Sequence, residues 1–240
     1  MTSEAPSPHA YEDRYLAFVD VLGFADLVNR SRSAPQIVEQ LHQALYSLST
    51  RTRTARSELL RLEATSFSDT VVLSVPVGAT ELLRMVEIID EFSVALLRNN
   101  MLFRGAIVQG PVLHTEDYVF GPALITAYRL ETNISFHPRI IFDAPVFAVA
   151  RSEEELQRYL VADPYDVPYL NPFARWESNE ALGQDALSEL VQLQSVIANG
   201  LMVGASSPSV GEKYKWLARK LNRFIAAAGA RLALHPLALD

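Results

Sequence analysis

YLAFVDVLGF, residues Tyr15 to Phe24, is the stretch whose reading decides the fold. Tyr15 to Val19 are apolar without alternation. Such a run fits a strand buried on both faces and is too short for an ordinary helix. Asp20 follows where the strand would emerge, and Gly23-Phe24 opens the next helix. A carboxylate at a strand end is rigidly held and can face solvent. That setting suits a hard cation such as Mg²⁺, which takes oxygen ligands and keeps several waters.

A second acid has a similar setting. Leu59 to Asp69, LLRLEATSFSD, reads as a strand and Thr70 to Val75 as its return, with Asp69 at the turn between them. Singly, each aspartate has an ordinary reading as a solvated turn residue. Together, two carboxylates delivered to one end of a sheet can hold two metal ions over a nucleoside triphosphate, stabilising the attacking and leaving oxygens of a phosphoryl displacement.

Composition narrows the function classes. The chain has 240 residues and a net charge of −7, which disfavours a broad nucleic-acid-binding surface. It has no cysteine, so disulfides, thiolate metal sites and a cysteine nucleophile are excluded. Five histidines show no HExxH and no i, i+4 pair, which argues against zinc. There is no Gly-Lys-Ser/Thr phosphate loop. The start of the chain lacks a basic segment followed by an apolar one, and no run is read as approaching the roughly 20 apolar residues that span a bilayer. The expectation is a cytoplasmic protein with no membrane insertion, disordered over residues 1–10.

Outward from the first strand, Phe24 to Arg30 reads as a short helix, and Ser33-Ala34-Pro35 starts another with a stripe of Ile37, Val38, Leu41, Leu45 and Leu48. Tyr46 lies beside that stripe. Ala79 to Asn99 is a helix stopped by Asn99-Asn100. Leu102 to Val108 is a strand, Gly110-Pro111 is read as a turn, and Val112 to His114 as its return, with His114 structural. Tyr118 to Phe120 is extended, Gly121-Pro122 starts a helix over Ala123 to Asn133, and Pro138 to Phe142 is a strand. This order contains a ferredoxin-like βαββαβ unit, an α+β sheet expected to carry helices on one face. The segment 11–150 is expected to form the core. Residues 151–240 are expected to be a mainly helical extension of the same domain, with helices at Glu153–Leu160, Ala186–Ala198 and Gly211–Ala233 and a Pro-rich, aromatic loop at Asp163–Phe173 with room for one strand.

Several pieces, taken in order, resemble class III nucleotidyl cyclases, and more closely the pyrimidine cyclases of bacterial Pycsar anti-phage systems. They are AFVDVLGF (Ala17–Phe24), SFSDTVVLS (Ser66–Ser74), FRGAIVQGPV (Phe103–Val112), VFGPALITAYRLE (Val119–Glu131) and PRIIFD (Pro138–Asp143). KYKWLARKLN (Lys213–Asn222) looks like the closing helix of that subgroup. The resemblance covers about residues 14 to 143 plus the last helix.

The resemblance implies roles. The family's two metal-binding aspartates fall on Asp20 and Asp69, and its backbone carbonyl ligand on Val21, for two Mg²⁺ or Mn²⁺ ions. The transition-state arginine falls on Arg129. The asparagine that usually accompanies it is replaced by Ile125, and the base-reading acid of purine cyclases by Pro122. The position ahead of the second metal acid falls near Glu63. Tyr46 is implied to narrow the base pocket. These departures imply a pyrimidine substrate, UTP or alternatively CTP, giving 3′,5′-cyclic UMP or cyclic CMP for a separate sensing effector. Shared sites imply a homodimer. A catalytically degenerate nucleotide-binding domain is the alternative that Ile125 favours. Among the other cations, Arg104 reads either as a phosphate ligand or as a bridge to Glu131. Arg139 is similar, and Lys213 and Lys215 read either as phosphate ligands or as a charged helix face.

Overall fold

β1 (Glu12–Val21) runs through the middle of the sheet, paired along both edges. The computed structural model describes residues 10–57, 61–163, 165–177, 182–229, 232 and 234–239, without side chains at 47–49 and 51–57. The disorder expected for residues 1–10 lies outside this set except for Ala10, which is exposed. After β1 come α1 (Phe24–Ser31), α2 (Pro35–Ser57), β2 (Glu63–Phe67), β3 (Thr70–Pro76), α3 (Ala79–Arg98), β4 (Phe103–His114), β5 (Val119–Phe120) and α4 (Pro122–Ile134). The remainder is β6 (Ile140–Phe142), α5 (Ala144–Ser152), α6 (Glu154–Gln157), β7 (Leu160–Val161), β8 (Tyr169–Leu170), α7 (Gln184–Gly204) and α8 (Pro208–Ala228).

The sheet order is β2-β3-β1-β4-β6-β8-β7, with β5 beside β4. β1 is antiparallel to both β3 and β4, and β2 is antiparallel to β3. The first four strands with their helices are therefore the expected βαββαβ unit, in an α+β fold. Tyr15 to Val19 are buried, as an unalternating apolar strand requires.

Alternation along β1 divides its residues between two faces. Leu16, Phe18 and Asp20 share one face with Arg104 and Gly110 of β4, by register. The expectation of helices on one face alone is corrected here, because α4 lies across this face. Tyr128 meets Phe18 edge-on at 6.0 Å, and Ala123 Cβ would stand 3.5 Å from a Cβ at Gly110. Tyr15 points the other way. Burial, and then the charges of Asp13, Asp143 and Glu81 at the start of α3, raise its pKa.

Gly110-Pro111 is not a turn, and β4 continues unbroken to His114. The Gly105 and Gln109 N–H groups point to the β6 side, onto the Arg139 carbonyl (3.0 Å) and Asp143 Oδ2 (3.0 Å). Pro111 has the same parity. Its missing N–H thus falls on the edge beyond β6 and costs no bond to β1. His114 is structural, as expected: buried, it bonds Ser74 Oγ (2.9 Å) and Thr65 Oγ1 (3.0 Å). Ser74 Oγ also accepts from Arg14 Nε–H (3.0 Å), so Arg14, Ser74, His114 and Thr65 form one chain of polar contacts across β1, β3, β4 and β2.

Further departures concern short or apolar segments. α5 was not expected, although Asp143 caps it by accepting from the Val146 N–H at 2.9 Å. The strand expected from Leu59 starts only at Glu63, and residues 58–60 lie outside the described set. In α2, Ile37 and Ala44 are buried while Val38 is 53% exposed; the Leu48 side chain is outside the described set. The helix expected over Glu153–Leu160 is only α6, and Leu160 lies instead in β7, which with β8 extends the sheet; the Trp216 ring of α8 packs 5.5 Å from Tyr169 of β8. Leu190, Leu193 and Ile197 of α7 and Leu217 and Leu221 of α8 belong to the same buried cluster as β1. Contrary to the sequence reading, α7 is long and apolar enough to cross a membrane by length and composition. It nevertheless carries Asp185 and Glu189 and packs along α8.

Candidate active site

Asp20 stands opposite Thr70 on one side and Arg104 on the other, at the end of the sheet where β1 leaves it. Asp69 lies in the two-residue turn joining β2 to β3, after Ser68, whose φ of 56° is left-handed. The Val21 N–H donates to the Asp69 carbonyl (2.9 Å), tying the turn to β1. A strand residue's N–H and C=O point to the same side, so the Val21 carbonyl also faces this turn. Sequence reading placed Asp20, Val21 and Asp69 together, and the register brings them to one sheet end.

The electrostatics are those of crowded carboxylates. Burial, and then the nearby Glu131 and Asp69 charges, push the Asp20 carboxyl up from 3.8 to about 6, against the opposing pull of Arg104. Arg104 Nε lies 3.8 Å from Asp20 Oδ2 and forms an ion pair with Glu131 of α4. The Arg104–Glu131 bridge, one of the two readings for Arg104, is thus present. Glu131 Oε2 also accepts from Thr132 Oγ1 at 2.9 Å. Glu131 was not expected to border the acid pair. Its signal in the sequence is its i+4, i+8 spacing from Ala123 and Ala127, both buried, which turns a glutamate inward onto β4.

Arg104 meets Asp20 and Glu131, and the Asp69 charge also bears on Asp20, so this sheet end holds more carboxylate than cation. This donor set fits Mg²⁺ or Mn²⁺. Asp20, Asp69 and the Val21 carbonyl are the groups that would hold it. Among the described residues no cluster of three or more His, Cys, Asp or Glu side chains is spaced to hold a metal, so any such site would have two carboxylates at most and would draw its other ligands from backbone oxygen and substrate. Gly105, opposite Val19, lets β4 approach β1 beside Asp20, since a Cβ there would run into the Phe18 carbonyl oxygen and Val19 Cα.

Other expected site residues stand apart from this pole within one chain. Pro122, Ile125 and Arg129 lie on the exposed side of α4. Arg129 is about 200° around the helix from Glu131, and among the described residues it forms no ion pair. Glu63 is level with Ser74 and Leu16, four residues along β1 from Asp20. Tyr46 is exposed and stacks on His42 at 5.7 Å. Arg139 is buried, paired with Asp166 (2.5 Å) and lying over the Tyr169 ring. Lys215 pairs with Glu212 (3.5 Å). Lys213 is half-buried, and burial and then the Arg104 charge lower its pKa.

No family model and no curated protein matches the chain. Among solved structures, the guanylyl cyclase Cya2 is similar at 15% identity, over 67% of this chain and 91% of that one, with a TM-score of 0.46. A monomeric-state adenylate cyclase from Trypanosoma brucei is similar at 15% identity, over 71% and 93%, with a TM-score of 0.47. An adenylate/guanylate cyclase/hydrolase from Silicibacter pomeroyi is similar at 14% identity, over 67% and 95%, with a TM-score of 0.43. Scores of this size carry no activity across to this chain.

Proposed function

We propose that the protein is a cytoplasmic pyrimidine nucleotide cyclase that converts UTP to 3′,5′-cyclic UMP and pyrophosphate. The observation that carries this reading is the convergence of Asp20, Asp69 and the Val21 backbone on one sheet end beside Arg104. In the reaction the ribose 3′-oxygen bonds to the α-phosphorus, the bond from that phosphorus to pyrophosphate breaks, and the hydroxyl proton passes to solvent. Mg²⁺ or Mn²⁺, when bound, supplies Lewis-acid stabilisation of the attacking and leaving oxygens. Asp20 and Asp69 bind and orient it, and Arg104 fixes the Asp20 carboxylate. Arg129, exposed on α4, acts on the α-phosphate of a site in a second copy. That role is the reason for proposing a homodimer with two shared sites.

The base preference follows from what α4 presents. Pro122 and Ile125 offer no hydrogen-bonding side-chain group to a purine edge, and their exposure leaves both free to meet a nucleotide in the proposed dimer. An apolar wall alone discriminates by about 10–200-fold, so pyrimidine preference is expected to be clear but finite. Cyclic UMP would then be a messenger read by a separate effector in anti-phage defence, a role supported by the motif resemblance. Turnover tests the site: Asp20→Ala and Asp69→Ala should each abolish cyclisation while keeping the wild-type circular dichroism. Activity in either variant within a factor of a few of wild type would overturn the assignment.

A further inference from the structure

Arg104 has two carboxylates within reach and divides itself unevenly between them. Its Nε is in direct ionic contact with Glu131, whereas Asp20 Oδ2 lies 3.8 Å away, beyond hydrogen-bonding distance. By register Asp20 is the residue directly opposite Arg104 on β1, so the sheet itself does not impose this preference. Glu131 does. It is buried, and a buried carboxylate is costly unless it is paired. Its Oε2 accepts from Thr132 Oγ1 at 2.9 Å, which leaves the guanidinium as its counter-charge. Packing fixes where it stands. Ala123 and Ala127 of the same helix face are buried, and Tyr128 meets Phe18, two residues ahead of Asp20, edge-on at 6.0 Å. The glutamate is therefore the anchored partner. The Arg104 side chain, 26% exposed, is the one with room to move.

A carboxylate with an arginine closed on it is a poor ligand. An incoming cation must displace a charge-assisted bond and approach a positive charge. We propose that Glu131 is a positioning residue for the metal end: by taking Arg104 into its own ion pair, it keeps the guanidinium from closing on Asp20 and leaves that carboxylate open to a divalent cation. The proposal rests on the reading of Asp20 as a cation-binding group. Glu131 belongs to no cluster spaced to hold a metal among the described residues, so it acts through Arg104 and not as a ligand. The arrangement also ties α4 to the end of β1, through Glu131 and Arg104 on one side and Tyr128 and Phe18 on the other.

Mn²⁺ binding to the nucleotide-free protein, read from the loss of the free ion's EPR signal, tests this without turnover. Asp20→Ala identifies the site, since it should remove the binding. Glu131→Gln keeps the volume and can still accept from Thr132, but it releases Arg104 to close on Asp20. Mn²⁺ binding should then weaken about 10–100-fold, the effect of one competing charge-assisted contact. The double variant Arg104→Gln, Glu131→Gln removes holder and competitor together. Replacing a buried ion pair by uncharged groups is often neutral for folding, so this variant should melt close to wild type in EDTA. Its Mn²⁺ affinity should return to within a few-fold of wild type, which a purely structural glutamate would not produce. If Glu131→Gln melts below the assay temperature, Glu131→Asp takes its place; it keeps the charge, withdraws it by one methylene and should weaken binding less. A folded single variant that binds Mn²⁺ as wild type does, or a double variant that binds no tighter than the single one, overturns the positioning role and leaves the cyclase reading standing. If no nucleotide is cyclised yet Asp20-dependent binding follows the expected pattern, the positioning role stands and the cyclase reading falls. Wild-type protein that binds no Mn²⁺, or binds it without Asp20, overturns the positioning role outright.

Discussion

Asp20→Asn should make the metal-free protein more stable at neutral pH while abolishing turnover. The sign follows from the raised pKa. A carboxyl pushed from 3.8 up to about 6 binds its proton more tightly in the folded chain. Wild-type stability attributable to this group therefore rises as pH falls from above 6 towards 4, and the penalty for its charge is fully present above 6. At about 1.4 kcal/mol per pH unit, the penalty is at most about 3 kcal/mol. The Asp20 side chain is 21% exposed, so solvent reduces the figure and about 1–3 kcal/mol is expected. Asparagine keeps the shape and removes the charge. Arg104 keeps Glu131 as its partner. For a chain of this size each kcal/mol is worth roughly 2–4 °C in Tm. Melts of both proteins in EDTA across pH 4 to 8 should coincide at the acid end and diverge above pH 6, with the variant higher. Added Mn²⁺ should raise the wild-type Tm and leave the variant nearly unchanged. A variant less stable than wild type at pH 8, or one stabilised equally by Mn²⁺, would refute the reasoning.

Three further outcomes are expected. Mixing inactive Asp20→Ala with inactive Arg129→Ala protein should restore part of the activity, since exchange makes heterodimers with one unmutated site; no recovery despite exchange proven by mass spectrometry would place both residues within one chain or make Arg129 structural. Gly105→Ala should cost about 1–3 kcal/mol or more, because its Cβ meets β1 backbone rather than a side chain that can move; an unchanged urea midpoint would contradict that close approach. Arg175→Met should cost about 3–5 kcal/mol at pH 8 by stranding buried Asp90, which Arg175 Nε now meets at 2.8 Å. The loss should be smaller at pH 5, because burial already raises the Asp90 pKa and a protonated carboxyl needs no counter-charge; equal losses at the two pH values would show that Asp90 stays ionised without its partner.

The core of this fold was legible because its signals are local. An unbroken apolar run ending in Asp20, and a turn carrying Asp69 between apolar segments, are visible without tertiary information. Pro111 was misread because a proline is compatible with a strand only when its N side faces an unpaired edge, and the end of β6 provides that edge. α5 was missed although Asp143-Ala144-Pro145 is a helix-start signature, because an apolar run hid it. β7, two residues long, has no periodicity to read, whereas β8 falls in the Pro-rich stretch Asp163–Phe173, read as a loop with room for one strand. The site was legible in its acids and less so in what surrounds them. Spacing from Ala123 and Ala127 turns Glu131 inward, but that it meets Arg104 there depends on the packing of α4 on β4, which spacing alone does not encode. Ile125 and Arg129 are exposed on α4, away from the acids, so nothing within the chain shows what they meet.

Incubation of the purified protein with each of the four ribonucleoside triphosphates and Mn²⁺, with products identified by mass, tests the central claim most directly. The account predicts 3′,5′-cyclic UMP with stoichiometric pyrophosphate as the main product, and cyclic CMP as a minor one. Cyclic CMP as the main species would overturn the choice of UTP alone. Cyclic AMP or cyclic GMP as the main species would contradict the pocket argument, and no cyclic nucleotide from any of the four would contradict the cyclase reading itself.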